Sequence, residues 1–274
     1  MPTATASDGT KLHYEIAGDG PDILFLHEFA GTLKEWAPQV RHLSGQYRCI
    51  AFNARGYPPS DAPDDPDRYS QDIAIEDAFC ILDAAGSDSA HVVGHSMGGY
   101  TALHLGIRRP ERVRSLTVAG CGWGSDPGTR EESRALIADI ARMFREEGIE
   151  EAARRYADFP MRHKFREKAP QGWAEFAALM AQHSAIGSAH TMEQVQGERP
   201  TLFEMRDDIA KLGMPLLIVV GDEDAACLEG SLMMKRTAPD AALYVVPNAS
   251  HTINSEEPEA FNRALEDFLS RLVS

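Results

Sequence analysis

The sequence predicts an α/β fold in which a mostly parallel central sheet is flanked by helices. Short, continuous apolar runs alternate along the chain with segments that have helical spacing. One such run passes through Gly94-His95-Ser96-Met97-Gly98 directly into a helical segment. From about residue 125 to residue 210 the strand rhythm stops and only helical spacing remains. Strands that alternate with helices form right-handed β-α-β units, so we expect a parallel sheet with one helical insertion.

Seven apolar runs are predicted to be strands. They cover residues 11–16, 23–26, 47–52, 90–93, 113–119, 215–220 and 243–246. The run at 23–26 contains no polar residue, which is typical of a strand covered on both faces. Helices are expected at 38–43, 71–85 and 99–107, and from about residue 258 onward, because apolar residues recur there at intervals of three and four.

The segment from 125 to 210 is predicted to be a helical cap. Helical spacing occurs at 134–147, 150–157 and 172–183, and Gly148 is expected to end the first of these helices. The alternative is an ordinary two-helix crossover, but a connection of ~85 residues is far longer than usual. We therefore expect a core formed by residues 1–124 and 211–274, with residues 125–210 inserted as the cap.

The composition is that of an ordinary globular protein with an acidic balance. The chain has 274 residues, 43% of them hydrophobic and 25% charged, which is enough for one core domain and an insertion. Its formal net charge of −15 argues against nucleic acid and anionic membranes as partners. The expected partner is a small-molecule substrate, and the sequence leaves a homodimer open.

The N-terminus and the cysteines indicate a cytoplasmic protein. Residues 1–9 lack a basic start followed by an apolar core, so no signal peptide is expected. No apolar run approaches the ~18–20 residues of a membrane span. The four cysteines have neither C-x-x-C spacing nor a dense framework, and we expect free thiols in a reducing compartment.

The pattern Gly-x-Ser-x-Gly between a strand and a helix is typical of a nucleophile on a sharp turn. A Cβ two positions before or after Ser96 would clash with so tight a turn, which explains Gly94 and Gly98. The N–H of Met97 would lie at a helix N-terminus, where it can stabilise negative charge. The alternative is a glycine-rich turn that only packs a helix on the sheet. The pattern thus makes Ser96 a candidate nucleophile.

With this motif, the sequence resembles the α/β-hydrolase superfamily, and the resemblance extends over nearly the whole chain. In that fold a serine, an acid and a histidine follow in this order along the chain. Ser96, Asp224 and His251 have this order, and each follows an apolar strand run. The family pattern Gly-x-x-Asp ends at Asp224, with Asp222 as the second candidate acid. No carboxylate follows the strand before the cap, where some relatives carry the acid, because residues 120–122 read Gly-Cys-Gly.

The resemblance also implies an oxyanion hole formed by the N–H groups of Met97 and Phe29. Family members usually read His-Gly after the corresponding strand, and this chain reads His27-Glu28. Glu28 could place a carboxylate near the site, or it could face solvent or pair with an arginine, because charges are rarely buried unpaired. Arg55 follows in a loop that departs from the family pattern, and we interpret it as structural.

Substrate choice is expected to depend on the cap. Trp123 and His183 are candidate substrate-binding residues, together with Glu28; the alternative is that such side chains form the core of the cap itself. An apolar pocket for a small acyl or ring substrate is expected above Ser96, because residues 120–124 carry no charge. No cofactor and no metal are expected, since no phosphate loop or metal-ligand spacing is present.

The resemblance implies a serine hydrolase acting on a small carboxylic ester or lactone through an acyl-enzyme on Ser96. The segment from 27 to 63 is similar to enol-lactone hydrolases. Carbon–carbon bond hydrolases and cofactor-free perhydrolases use the same triad and remain alternatives, although the former often carry an aromatic residue where this chain has Thr252. A different class of function, a non-catalytic ligand receptor that kept the fold, has no need of an oriented base.

Overall fold

The computed structural model describes residues 2–272, and its centre is an eight-stranded sheet. The strands are β1 (Thr3–Thr5), β2 (Lys11–Ala17), β3 (Asp22–Leu26), β4 (Arg48–Phe52), β5 (Ala90–His95), β6 (Val113–Ala119), β7 (Leu216–Gly221) and β8 (Ala241–Val246). Their order across the sheet is β1-β2-β4-β3-β5-β6-β7-β8. The pairs β1/β2 and β2/β4 are antiparallel, and the others are parallel. The predicted α/β fold with a mostly parallel sheet is therefore confirmed.

Helices connect these strands and build the insertion. The α-helices in the described chain are α1 (Ala37–Leu43), α2 (Gln71–Ala84), α3 (Met97–Arg108), α4 (Arg130–Ala157), α5 (His163–Lys168), α6 (Pro170–Met180), α7 (Ala185–His190), α8 (Arg206–Ile209), α9 (Ala225–Thr237), α10 (Ile253–Glu256) and α11 (Pro258–Ser270). A π-helical stretch, Thr191–Gly197, continues α7. Gly148 interrupts α4 with a φ of 78°, so the expected helix end appears as a kink inside one longer helix.

The central strands are buried on both faces, which explains their continuous apolar runs. In β3, Ile23 and Phe25 belong to the apolar cluster that packs on α1 and α11, whereas Leu24 and Leu26 belong to the cluster that packs on α2 and α3. This two-residue alternation is the period of a strand. The result is a sheet between two helical layers, with the carboxyl ends of its parallel strands at one edge.

The helical segment 125–210, which we call the cap segment, separates β6 from β7. All elements described between these two strands are helical. Apolar side chains of α4, α6 and α7 share one cluster with Phe29 and Met97, which lie beside the ends of β3 and β5. The division into a core and a cap stays a prediction, but this cluster places the segment over that edge of the sheet.

Every helix within residues 2–272 is too short or too polar to cross a membrane. The described cysteines form no disulfide, as expected from their spacing.

Candidate active site

The turn between β5 and α3 holds Ser96 in a strained backbone conformation. Its φ of 51° and ψ of −109° lie where side chains other than glycine are rarely found. A Cβ on Gly94 would lie 2.2 Å from the carbonyl oxygen of Gly98, and a Cβ on Gly98 would lie 2.1 Å from that of Leu26. The expected clash with the turn is therefore confirmed at Gly94, whereas at Gly98 the clash is with the end of β3. The N–H of Ser96 donates to the carbonyl of Ala119 at 2.8 Å, which ties the turn to β6.

The structure brings Ser96, His251 and Asp224 into hydrogen-bond contact. Nε2 of His251 lies 2.9 Å from Oγ of Ser96, and Nδ1 lies 2.8 Å from Oδ2 of Asp224. An ionised carboxylate only accepts hydrogen bonds, so Nδ1 of the neutral imidazole carries the proton and Nε2 is free to accept one. Asp224 and His251 are buried, whereas Ser96 is partly exposed. The serine hydroxyl thus faces a base whose orientation is set by a buried acid.

Asp224, rather than Asp222, is the acid that contacts the histidine. Burial by itself would raise the pKa of Asp224, but the charge and hydrogen bond of His251 outweigh this effect and hold that pKa below its usual value. Asp222 lies on the exposed side of the same turn, where its Oδ1 accepts from the N–H of Ala249 at 3.3 Å. Asp222 is therefore placed to stabilise the loop that carries His251 and not to orient the imidazole.

The two predicted oxyanion donors come from different segments of the chain. Met97 is the first residue of α3, and Phe29 lies in the loop after β3. Neither backbone N–H donates a hydrogen bond within residues 2–272. The neighbouring N–H of Glu28 is engaged with the carboxylate of Glu35, and that of Gly31 with the carbonyl of Glu28. An oxyanion hole requires N–H donors that no other group occupies, and within the described chain the N–H groups of Met97 and Phe29 both meet that condition.

Glu28 is buried and paired with an arginine of the cap segment. Both guanidinium NH2 groups of Arg162 donate to the Glu28 carboxylate, one of them at 2.7 Å. Burial would raise the pKa of Glu28, but the charge of Arg162 outweighs it and lowers that pKa to about 2. From the sequence, Glu28 could face solvent or pair with an arginine. The first interpretation is wrong, because the side chain is buried, and the arginine pair is present. Both oxygens of the carboxylate therefore accept from Arg162.

Two further histidines brace the loops around the site. His27 accepts from the N–H of Ala54 through Nε2 at 2.9 Å, so its Nδ1–H donates to the carbonyl of Glu28 at 2.6 Å. Burial lowers the pKa of His27 to about 4, so the ring is neutral. His95 donates through Nε2 to the carbonyl of His251 at 2.8 Å, and its Nδ1 lies 3.3 Å from Oε1 of Glu35.

Glu35 forms a buried hydrogen bond with His95, the residue that precedes Ser96. Burial raises the pKa of Glu35 to about 7, although its hydrogen bond with His95 acts in the opposite direction. Because Nε2–H of His95 is committed to a carbonyl, one proton bridges Nδ1 and the Glu35 carboxyl. Both side chains are buried or nearly so, which keeps this pair away from water.

The candidate substrate-binding residues of the cap region pack mainly against protein. The ring of His183 meets that of Tyr57 edge-on at 5.0 Å, and neither of its nitrogens has a hydrogen-bond partner within residues 2–272. Trp123 packs on the cluster that contains Met97, and its carbonyl accepts from Arg199 at 3.3 Å. The surroundings of residues 120–124 are therefore not purely apolar, since the cap segment brings a buried guanidinium to them.

An apolar cavity of about 40 Å³ is lined in part by Met97 but not by Ser96 or His251, so it is not the apolar pocket expected above Ser96. It is lined from the core and from the cap segment by Leu26, His27, Phe52, Ala54, Arg55, Tyr57, Tyr69, Ser70, Ile73, Ala74, Asp77, Met97, Gly98, Thr101, Thr191 and Val195. Arg55, interpreted above as structural, donates to both carboxylate oxygens of Asp77 at 2.9 Å and also to Asp8. Its charge is therefore neutralised at the rim of this cavity.

The sequence around this site also matches a known protein family. Residues 21–258 match the family described as the alpha/beta hydrolase fold. The chain belongs to this family. The predictions of an α/β-hydrolase fold and of a hydrolase are thereby confirmed.

Two curated relatives match this α/β-hydrolase over most of its length. The 3-oxoadipate enol-lactonase 2 of Acinetobacter baylyi is 28% identical over 273 residues, which cover 98% of this chain and 96% of the relative. Epoxide hydrolase 3 of Xenopus tropicalis is 25% identical over 276 residues, which cover 95% and 75%. The two names refer to different bonds, so similarity alone leaves the substrate of this chain undetermined.

A solved structure has the same fold as this α/β-hydrolase. The enol-lactonase from Burkholderia xenovorans superposes with a TM-score of 0.85 at 24% identity, and the match covers 98% of this chain and 100% of the neighbour. At this identity the comparison establishes the fold alone.

Two clusters in the described chain bring three possible metal ligands within 4.8 Å of one another. One comprises Asp224, Cys227 and His251, and the other comprises Glu28, Glu35 and His95. In the first, the Cys227 thiol lies 3.8 Å from Nδ1 of His251, whose proton already bridges to Asp224. A metal ion there would have to displace the hydrogen bond that orients the imidazole.

Sequence reasoning did not find Glu35, Arg162 or the role of His95. His95 stands inside the Gly-x-Ser-x-Gly motif, so its position offered a signal. Glu35 and Arg162 belong to no motif, and they reach the site only through the packing of distant segments.

Proposed function

We propose that this α/β-hydrolase cleaves a small carboxylic ester or lactone through an acyl-enzyme formed on Ser96. The observation that carries the proposal is the chain of contacts from Ser96 Oγ to His251 Nε2 and from His251 Nδ1 to Asp224. A serine hydroxyl is a poor nucleophile at neutral pH and needs such an oriented base. A receptor that only binds its ligand has no need of this arrangement.

In the proposed first half-reaction, Oγ of Ser96 attacks the carbonyl carbon while Nε2 of His251 takes the hydroxyl proton. The carbonyl oxygen becomes an oxyanion and accepts from the N–H groups of Phe29 and Met97. Asp224 stabilises the imidazolium that forms. The C–O bond of the ester or lactone then breaks, and His251 returns the proton to the leaving oxygen.

In the second half-reaction, water hydrolyses the acyl-enzyme. Nε2 of His251 takes a proton from the water, whose oxygen attacks the acyl carbon. The bond to Ser96 breaks, and the imidazolium returns the proton to Oγ. The carboxylic acid product leaves with the serine restored, so the reaction consumes one water and needs no other reactant.

One further observation supports an ester or lactone. A match over nearly the full length carries the name enol-lactonase, which is a hydrolase of a cyclic ester. The apolar cavity beside Met97 is lined by neither Ser96 nor His251, so the proposal does not rest on its size. The proposal does not depend on a metal or a cofactor.

The test is release of p-nitrophenol from acyl esters between acetate and octanoate, together with base uptake during hydrolysis of short lactones. We expect turnover by the wild type and a fall in kcat/KM of at least about 10³-fold in Ser96→Ala. Ser270→Ala, at the end of α11, is the matched serine control. Activity of Ser96→Ala equal to that of the wild type, or no turnover of any ester or lactone by the wild type, would overturn the proposal.

A further inference from the structure

We infer that Arg162 of the cap segment is a positioning residue that holds the oxyanion loop and the histidine loop in register with Ser96. The inference rests on the function proposed above. By oxyanion loop we mean residues 28–31, and by histidine loop residues 248–252. The cap segment would then be part of the catalytic machinery and not only its cover.

Arg162 contacts both loops from a fully buried position. Its Nη1 donates to Oε1 of Glu28 at 2.7 Å and to Oγ1 of Thr252 at 2.6 Å, and its Nη2 donates to the other oxygen of Glu28. Arg162 is 0% exposed, and the ring of Phe176 lies 4.6 Å from its Cζ. Glu28 directly precedes the proposed donor Phe29, and Thr252 directly follows the base His251. One guanidinium therefore joins the residues adjacent to both functional groups.

These contacts close a ring of hydrogen bonds around the serine. Beyond Glu28, the backbone N–H of that residue donates to Glu35, at 3.3 Å from each carboxylate oxygen. Glu35 in turn contacts Nδ1 of His95 at 3.3 Å, and Nε2 of His95 donates to the carbonyl of His251 at 2.8 Å. His251 is bonded covalently to Thr252, which completes the ring at Arg162. His95 is the residue immediately before Ser96, so the nucleophile is attached to the same ring.

A second cation on the same segment reaches the histidine loop. We call residues 160–168, which comprise a 3₁₀ turn and α5, the strap. At its other end, Nζ of Lys168 donates to the carbonyl of Asn248 at 2.6 Å and lies 3.6 Å from Oε1 of Glu256. Asn248 has a φ of 54°, an unusual conformation for a residue other than glycine. The strap thus secures the histidine loop at both its first and its last residue.

Buried, charge-assisted hydrogen bonds of this kind limit the movement of the groups they join. Misplacement of a catalytic group by about 1 Å can cost about 10²-fold in rate. Phe29 and His251 each lie in a loop, where the backbone has no regular ladder to fix it. A ring that passes through both loops and through the residue before Ser96 supplies that constraint, and Arg162 is its only member from the cap segment among the described residues.

The experiment compares Arg162→Gln, Arg162→Lys and the wild type on p-nitrophenyl esters. We expect kcat to fall about 10- to 100-fold in Arg162→Gln while KM changes less than about threefold, because the ring acts on geometry and not on substrate binding. Arg162→Lys keeps the positive charge but lacks the planar guanidinium, so its kcat should fall less than that of Arg162→Gln. The matched control is Arg166→Gln, an arginine of the same strap that pairs with Asp158 at the surface. Its kcat should stay within about twofold of the wild type.

Two measurements keep the test decisive if an Arg162 variant does not fold or the substrate is wrong. Thr252→Val keeps the shape of the side chain and breaks only one edge of the ring, so kcat should fall about 3- to 10-fold. The rate at which a fluorophosphonate modifies Ser96 and the amide exchange of residues 28–31 and 248–252 report on the same geometry without a substrate. We expect slower modification and faster exchange in each ring variant, but not in Arg166→Gln.

The outcomes separate this inference from the proposed function. Folded Arg162 variants with wild-type kcat, modification rate and loop exchange would overturn the positioning role while leaving the esterase proposal intact. A wild type that hydrolyses no ester or lactone would instead refute the proposed function. In that case the amide exchange of residues 28–31 and 248–252 tests the inference. Exchange that is unchanged in Arg162→Gln and Thr252→Val would overturn the inference as well.

Discussion

Oδ2 of Asp224 lies 2.8 Å from Nδ1 of His251, whereas Asp222, two residues earlier, bonds the backbone of the histidine loop. The two carboxylates follow the same strand and belong to the same residue type, so their chemistry alone does not distinguish them. Their difference arises because the chain turns after β7, so that Asp224 is buried beneath the imidazole and Asp222 stays at the surface.

Exchange of each acid for its amide should separate their roles. Asp224→Asn removes the acceptor that holds the proton on Nδ1, so kcat should fall by roughly 10⁴-fold, as expected when the imidazole takes the wrong tautomer. Asp222→Asn, the matched control, should change kcat less than about threefold, because the amide oxygen can still accept from Ala249. Ester hydrolysis under saturating substrate measures both. A larger loss in Asp222→Asn than in Asp224→Asn would show that the acid has been misassigned.

The turn at Ser96 should tolerate no side chain two residues after the serine. A methyl group on Gly98 would meet the carbonyl oxygen of Leu26 at 2.1 Å, and this backbone cannot move without displacing β3. We expect Gly98→Ala to lower the free energy of unfolding by roughly 2 kcal/mol or more. Gly45→Ala is the control, because nothing lies within 4 Å of its added Cβ, and its effect should stay below about 1 kcal/mol. Urea denaturation gives both values, and similar stabilities would contradict the packing described here.

The buried pair of Glu28 and Arg162 should show strong coupling in a thermodynamic cycle. Arg162→Met leaves the Glu28 carboxylate buried without its partner, which should cost about 3–5 kcal/mol of unfolding free energy. The double variant Glu28→Gln/Arg162→Met removes the stranded charge, so it should be more stable than Arg162→Met alone. Urea denaturation of the four proteins measures the coupling. If the unfolding free-energy changes of the two single substitutions add up to that of the double variant, the two charges do not interact.

Buried neutral histidines should make the protein less stable as the pH falls. Burial lowers the pKa of His183 to about 3 from an ordinary value of 6.5. Below pH 6.5 the unfolded chain therefore takes up a proton that the folded protein does not, and the free energy of unfolding falls by about 1.4 kcal/mol per pH unit for this group. His27, His91 and His104, whose pKa values burial lowers to about 4, act in the same direction.

His183→Phe should therefore reduce the slope of the unfolding free energy against pH between pH 4 and 6. The expected reduction is that of one proton, about 1.4 kcal/mol per pH unit. The ring keeps its edge-on contact with Tyr57, so the packing is retained. His163→Gln is the control, because its side chain is 48% exposed. Urea denaturation at several pH values gives the slopes, and equal slopes for His183→Phe and the wild type would be evidence against a neutral buried imidazole.

Much of the fold and the chemical outline of the site could be predicted from local patterns. The turn at Ser96 is recognisable because the strand, the two glycines and the helix are contiguous. Asp224 and His251 could be selected because parallel strands bring the residues after their carboxyl ends to one edge of the sheet. The choice of Asp224 over Asp222 came from the family pattern, and the structure agrees with it through a contact that composition could not show.

The partners of Glu28 could not be predicted in the same way. Arg162 lies 134 residues further along the chain, in a segment where charged residues recur every few positions. Which of them turns inward depends on how α4, α5 and α6 fold against the core. The same holds for Glu35 and His95, which are 60 residues apart and meet because the 3₁₀ turn Leu33–Trp36 packs beside His95.

The sequence by itself determined the alternation of the central strands with helices and the glycine-dependent turn at Ser96, because periodicity and short-range sterics set these features. The order of serine, acid and histidine came from the resemblance to the α/β-hydrolase superfamily, and the edge strand β1 was not predicted. The tertiary structure decided that Glu28 is buried, that Arg162 neutralises it and that both join a ring through His95 and His251. The physical reason is that a buried charge is tolerated only where several segments supply its hydrogen bonds, and those segments meet only in the folded chain.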